Sequence, residues 1–348
     1  MAEKAGGGFM RYRQLGRTGL QVSEMGFGAI PIIRLSFEEA ERVLRRALDR
    51  GVTLFDTAHL YVDSEEKIGR AFEGLRDRIV LATKTMKRDK QGAQEDLELS
   101  LRRLRTDYLD LYQFHMVNQE ADIQAITGPG GALEAAVRAK EAGRIRHLGF
   151  TSHSLEMAIK LVKTELFSTV QFPFNFIEAE ATAELHPLAW ELKLGVLAMK
   201  PFCGGLVEDA RVAFAYLRRF PAVIPLAGWD SVERVDEVVD LYEQPLEVTP
   251  EDEAAMARYR TELGDLFCRR CEYCQPCPHG VMVTPAMLYG IVAHRMGPAK
   301  AAAFAAKAME SVRLCEECGE CAERCPYHLP IPETLKKHLA MYEEHLGK

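Results

Sequence analysis

The 348-residue sequence has no apolar run near the roughly 20 residues that a membrane helix needs, which argues against a membrane partner. Basic residues are not in excess. The formal charge of −7 argues against a nucleic-acid footprint. No apolar signal-like segment opens the chain. Residues 1–9, MAEKAGGGF, are small, polar and glycine-rich and read as a flexible tail. A glycine-rich dinucleotide loop is also missing, since the first predicted strand ends in Gly26-Phe27-Gly28-Ala29-Ile30-Pro31. This disfavours an open doubly wound sheet. Before residue 268 the only cysteine is Cys203, which reads as a small buried hydrophobe. These absences leave a cytoplasmic globular protein, and its 47% apolar content is ample for a core.

Eight cysteines follow in two runs. The first is Cys268-x2-Cys271-x2-Cys274-x2-Cys277-Pro278, and the second is Cys315-x2-Cys318-x2-Cys321-x3-Cys325-Pro326. The second run has the bacterial ferredoxin spacing for a [4Fe–4S] cluster, and two runs imply two clusters. In that arrangement the last cysteine of each run ligates the other cluster. Cys268, Cys271, Cys274 and Cys325 would then form one set, and Cys315, Cys318, Cys321 and Cys277 the other. The first run departs from the pattern, because its last gap has two residues instead of three. Four-cysteine zinc sites are the alternative. They need neither the third closely spaced cysteine nor the Cys-Pro ending.

Between residues 11 and 245, short apolar runs alternate with amphipathic stretches. A hairpin comes first, from Arg11-Tyr12-Arg13-Gln14-Leu15 through a Gly16–Gly19 turn to Leu20-Gln21-Val22. Strands are expected at 25–28, 53–56, 79–83, 109–114, 146–150, 168–172, 195–199 and 223–226. Helices are expected at 36–50, 64–74, 92–104, 130–142, 154–164, 179–193, 208–219 and 231–242. Eight such repeats close naturally into a (β/α)8 TIM barrel. The loops after the fourth and seventh of these strands read as short or plain. The expected domains are the tail 1–9, the barrel 10–245, a connecting helix 246–263 capped by Thr249, and a small, mainly helical ferredoxin-like iron–sulfur domain 264–348. That last domain would include helices at 298–313 and 332–346.

In such barrels chemistry gathers at the C-terminal ends of the strands. Those ends supply Asp56, then Tyr61 in the following loop, Lys84 and His115. The set suits carbonyl reduction. A free tyrosine has a pKa of about 10. A neighbouring ammonium from Lys84, held by Asp56, would bring it down. His115 would donate a hydrogen bond to the carbonyl oxygen.

The segments Gly51 to Tyr61, Leu81 to Lys84 and Asp110 to His115, with the opening Leu15 to Leu20, closely resemble the aldo-keto reductases over about residues 10–262. The resemblance implies a (β/α)8 barrel that binds NADP or NAD without a Rossmann fold, with Asp56, Tyr61, Lys84 and His115 as its catalytic tetrad. It implies further that Ser152, His153 and Gln171 hold the carboxamide, and that Lys200, Pro201 and Phe202 lie by the nicotinamide and pyrophosphate. The loop from Gly228 would receive the adenosine, with Arg234 facing a 2′-phosphate. Asp230, Trp229 and Val238 depart from the family's pattern in that loop. Cys271 to Val281 resembles a subgroup of the family with a ferredoxin-like tail.

The expected function is an NAD(P)H-dependent oxidoreductase acting on a small-molecule carbonyl or alcohol. Two [4Fe–4S] clusters would serve electron transfer or redox sensing, with an electron-transfer protein such as a ferredoxin as a possible partner. A redox-responsive nucleotide-binding regulator with little turnover is the alternative.

Overall fold

The computed structural model describes residues 10–243, 247–263 and 267–347. The expected tail, and the expected boundaries at 245–246 and 264, fall outside these. The chain divides into two compact units, one ending at Glu253 and the other beginning at Ala254.

The first unit opens with an antiparallel hairpin of β1 (Tyr12–Gln14) and β2 (Gln21–Ser23). Eight parallel strands follow and close into a barrel. They are β3 (Gly26–Gly28), β4 (Leu54–Asp56), β5 (Val80–Thr85), β6 (Leu109–Phe114), β7 (Ile145–Thr151), β8 (Thr169–Pro173), β9 (Gly195–Met199) and β10 (Val223–Ala227), with β10 pairing back onto β3. The strands are almost wholly buried, as parallel strands packed on both faces must be. In β5, Val80 packs against the interior cluster that contains Ala82, and Lys84 also faces inward. Thr83 and Thr85 face the surrounding helices, donating to Glu65 and Asp96 at 2.7 and 2.6 Å.

The hairpin closes one end of the barrel. Leu15 and Val22 join Leu54, Ala82, Leu111, Leu197, Ile224 and Leu226 in one buried cluster. Gly16 makes this seating possible. It has φ +50°, and a Cβ there would stand 2.1 Å from the Gly195 nitrogen. Arg17 completes the fit by donating to the carbonyls of Glu165 and Phe167 at 2.9 and 2.7 Å.

Among the described residues, nine helices follow the barrel strands: α1 (Phe37–Asp49), α2 (Ser64–Ala71), α3 (Lys90–Arg103), α4 (Glu120–Thr127), α5 (Ala132–Glu141), α6 (Leu155–Lys163), α7 (Leu185–Glu191), α8 (Ala210–Leu217) and α9 (Val232–Glu243). Ser36, Asp89, Ser154 and Asp209 accept backbone N–H groups in the first turns of α1, α3, α6 and α8. This explains why those helices start where they do. Arg46 of α1 and Arg50, the C-cap residue after it, both pair with Asp236 of α9, joining the first and last helices of the ring.

Two expectations need correction. The loop after β6 is not plain, because it carries α4. That helix buries only Ile123 and Ile126, too few for a clear periodicity, and Asp122 holds its start by accepting from the N–H groups of Asn118 and Gln119. The helix expected at 179–193 is instead a 3-10 turn, Glu180–Thr182, followed by the short α7. Pro187 has no N–H to donate, so it fits only a first helical turn. Within α7, His186 is fully buried, 4.5 Å from the Phe174 ring, and neither ring nitrogen has a partner.

The second unit is helical. It is reached along α10 (Pro250–Leu263), where Thr249 and Asp252 cap each other's backbone at 2.9 and 3.2 Å, as expected for that cap. It contains α11 (Val283–Met287), α12 (Tyr289–Met296), α13 (Pro298–Ser311), α14 (Glu320–Glu323) and α15 (Ile331–Leu346). Its core combines Val281, Val283, Met287, Met309 and Leu335 with Cys274 and Cys325.

Gly16→Ala is expected to cost at least about 2 kcal/mol, from a positive φ combined with a backbone clash. Chemical denaturation followed by tryptophan fluorescence measures this, since both tryptophans, Trp190 and Trp229, lie in the first unit. Burial lowers the pKa of His186 to about 4. An unfolded histidine titrates near 6.5, so between these values the unfolded chain binds the extra proton. Stability should therefore fall as pH drops from about 6.5 to 4, by on the order of 3 kcal/mol from this residue. His186→Phe should flatten that slope, and an unchanged slope would exclude His186 as its source.

Candidate active site and candidate metal centre

Asp56 is the last residue of β4, Lys84 the fifth of β5, and His115 the first after β6. Adjacent parallel strands bring these ends together, and the loop after β4 returns Tyr61 to the same place. Lys84 Nζ donates to Asp56 Oδ2 at 2.5 Å and to the Thr57 carbonyl at 2.6 Å, and both charged groups are buried. The ammonium lies 5.2 Å from the centre of the Tyr61 ring. The Tyr61 and His115 rings meet edge to face at 5.8 Å. Burial, with the charges of Lys84 and Arg88, holds the His115 imidazole well below its usual pKa, so it is neutral near pH 7. Its Nδ1 is buried without a partner.

Two glutamines steady the carboxylate. Gln113 donates to Asp56 Oδ1 at 2.9 Å and Gln171 to Oδ2 at 3.3 Å. Gln113 is not among the residues predicted from the sequence, although a polar residue inside an apolar strand was its available signal. Neither is Asn118, whose Oδ1 accepts from the His153 N–H at 2.8 Å and stands 3.3 Å from the Ser152 hydroxyl. Gln171 Oε1 and Asn118 Nδ2 remain buried and without partners. An acceptor and a donor beside Ser152 and His153 match the two halves of a carboxamide, so the residues present fit a nicotinamide.

Lys200, with φ +59°, forms a buried ion pair with Glu178 at 3.3 Å, and Asn175 donates to both Glu178 and the Lys200 carbonyl at 3.0 Å. Pro201 is buried beside it, and the Phe202 ring packs edge-on to Phe214. Gly228 approaches Pro31 so closely that a Cβ would stand 2.8 Å away. Arg234 is paired with Glu237 at 2.8 Å, and Asp230 with Arg34 at 2.6 Å. Trp229 and Val238 are buried, which leaves neither side chain open to an adenine.

The two cysteine runs share a backbone pattern that their sequences conceal. In the first, Arg270 and Glu272 have φ +64° and +67°. In the second, the corresponding Glu317 and Gly319 have +54° and +82°. Gly280 and His328, each three residues beyond the closing cysteine, also have positive φ, +82° and +53°. Both runs thus turn in the same way. Successive N–H groups in such turns form the concavities that receive anions and iron–sulfur clusters. Cys277, Cys315, Cys318 and Cys321 line one small cavity. The Cys271 thiol lies within electrostatic reach of Cys268 and Cys325. Burial raises Cys271 to about 11 and Cys274 to about 12, so as free groups they are thiols and need a bound metal to become thiolates. Among the described residues, no three or more of His, Cys, Asp and Glu close on a single-ion site. A cubane instead spreads its four thiolates over separate irons. The donor set fits iron–sulfur clusters.

Residues 24–221 match the aldo/keto reductase family, and residues 267–330 match a 4Fe-4S dicluster domain. The aldo-keto reductase YhdN of Bacillus subtilis (strain 168) is 32% identical over 217 residues, which cover 57% of this chain and 64% of YhdN. The holo form of aldo-keto reductase AKR11C1 from Bacillus halodurans superposes with a TM-score of 0.61 at 26% identity, over 72% of this chain and 96% of that one. An aldo-keto reductase from Klebsiella pneumoniae, solved in complex with NADPH, gives 0.60 at 25% identity over 72% and 94%. No helix among the described residues is long and apolar enough to cross a membrane. The chain therefore belongs to the aldo/keto reductase family, as an oxidoreductase whose barrel is followed by a 4Fe-4S dicluster domain.

Proposed function

We propose that the barrel reduces a small-molecule carbonyl, or oxidises the corresponding alcohol, with Asp56, Tyr61, Lys84 and His115 as its catalytic residues. The convergence of these four side chains at the C-terminal ends of β4, β5 and β6 carries the reading. A bound NADP or NAD would supply or accept the hydride. Ser152, His153, Gln171 and Asn118 would hold its carboxamide, and Lys200, Pro201, Phe202, Gly228 and Arg234 would follow the rest of the dinucleotide.

The protein's own part is proton management. As negative charge develops on the carbonyl oxygen, the Tyr61 hydroxyl gives up its proton to it. The Lys84 ammonium stabilises the phenolate left behind. Asp56, fixed by both glutamines, keeps Lys84 charged and in place. The neutral His115 ring donates a hydrogen bond to the same oxygen, and its low pKa keeps it from competing as an acid.

In the second unit, Cys268, Cys271, Cys274 and Cys325 would hold one [4Fe–4S] cluster, and Cys277, Cys315, Cys318 and Cys321 the other. The shared cavity and the repeated backbone turns support this crossed pairing. Clusters carry single electrons, so the partner would be a one-electron carrier such as a ferredoxin. One observation favours a regulator with little turnover instead. The cation of the adenosine loop, Arg234, is already paired with Glu237, and Asp230 of the same loop with Arg34.

Tyr61→Phe should lower kcat for carbonyl reduction by at least about 100-fold. Nucleotide affinity, read by titration calorimetry, should stay within about twofold of wild type. A wild-type protein that binds nucleotide but turns over no carbonyl would favour the regulator. Cys318→Ser should leave about four of about eight irons per chain, measured by metal analysis of anaerobic protein, with the barrel still folded. Full iron content in that variant would refute its place as a ligand.

A further inference from the structure

The residues between the cysteines carry opposite charge in the two runs. The first run reads Cys268-Arg269-Arg270-Cys271, and the second Cys315-Glu316-Glu317-Cys318, followed by Glu320 and Glu323. The Arg269 guanidinium lies 3.9 Å from the centre of the Tyr327 ring, and Tyr327 packs against the core two residues after Cys325. The first run's positive charge is therefore held beside the cysteine that completes its own set. Counted by residue, the second run has four glutamates, Glu316, Glu317, Glu320 and Glu323, against one arginine, Arg324. Arg324 meets Glu320 at 3.1 Å, Lys336 meets Glu317 at 2.7 Å, Glu316 lies 3.6 Å from His279, and Glu323 is exposed. In the first run a single glutamate, Glu272, stands against two arginines.

Backbone dipoles do not cancel this difference. The left-handed positions recur at the same places in both runs, so the N–H groups that favour a negatively charged cluster contribute alike. Exposure works in the other direction, since a buried cluster resists added negative charge. The first set is the more buried of the two. Cys268 and Cys271 are half-buried, as are Cys277, Cys315 and Cys321, while Cys274 and Cys325 are buried and Cys318 alone is exposed. Fixed charges one or two residues from the ligating sulfurs have the stronger influence, because net charge near a cluster tunes its potential directly.

Building on the two-cluster reading above, we infer that the two sets differ in reduction potential. The arginine-flanked set, Cys268, Cys271, Cys274 and Cys325, takes the first electron. The glutamate-flanked set, whose Cys318 is exposed, has the lower potential and is the port. One electron from an external one-electron donor reduces the cluster at the port. It then passes to the arginine-flanked set, returning the port to its oxidised level, with no bond or proton change. The donor that fits this port carries positive charge around its own redox centre.

The test is an anaerobic redox titration of the full holoprotein, followed by EPR, with dithionite as reductant. The wild type should show two reductive waves. Arg269→Gln/Arg270→Gln should move the more positive wave toward the other and leave the more negative one in place. Arg269→Lys/Arg270→Lys should keep the wild-type order, since it retains charge. Glu316→Gln/Glu317→Gln should raise the more negative wave. A single unsplit wave with eight irons per chain would overturn the inference and leave the two-cluster reading standing. Four irons per chain would overturn both. If the double glutamine variant at 269 and 270 loses its clusters, the glutamate variant decides alone, and movement of the more positive wave there refutes the assignment.

Discussion

The chemistry proposed for the barrel depends on one buried ion pair, Lys84 with Asp56. Two charges removed from water repay their desolvation only where every lone pair and N–H is used. Here the carboxylate accepts from Lys84, Gln113 and Gln171, and the ammonium also donates to the Thr57 carbonyl. The pair spans β4 and β5, and Gln113 and Gln171 extend it to β6 and β8. The interaction that would order the proposed proton donor thus also ties four strands at the open end. The closed end needs no such device, because Leu15 and Val22 fill it with apolar volume. Polar order at one end and apolar packing at the other divide the barrel into a working half and a supporting half.

The eight strands and the convergence of Asp56, Tyr61, Lys84 and His115 were legible in the sequence. Parallel strands show as buried apolar runs, and a barrel puts all their C-terminal ends on one face. Less legible were side chains that act through partners far along the chain. Gln113 meets Asp56 across 57 positions and Gln171 meets it across 115. Asn118 and Glu178 were missed for the same reason, since their meaning lies in His153 and Lys200. The helix α4 stayed hidden because two buried isoleucines do not make a periodicity. At Arg234 the sequence offered a cation for a phosphate, and Glu237, three positions on in the expected helix 231–242, was the available signal for the ion pair that occupies it.

In the second unit the cysteine spacing announced the metal chemistry, and the backbone adds what spacing cannot express. Three of the four left-handed positions within the runs are Arg270, Glu272 and Glu317 instead of glycine. A reader looking for glycine as the mark of a turn finds only Gly319. The left-handed positions shared by the two runs become visible through φ, and against that common feature the contrast of arginine and glutamate gains physical meaning.

The hairpin seated on Gly16 covers the end of a barrel whose interior is already filled by Leu54, Ala82, Leu111 and Leu197. No path runs through such a core, so both reactants of the proposed reaction would come and go by the one mouth where Tyr61 stands. Of two molecules sharing that mouth, the one held deeper would enter first and leave last.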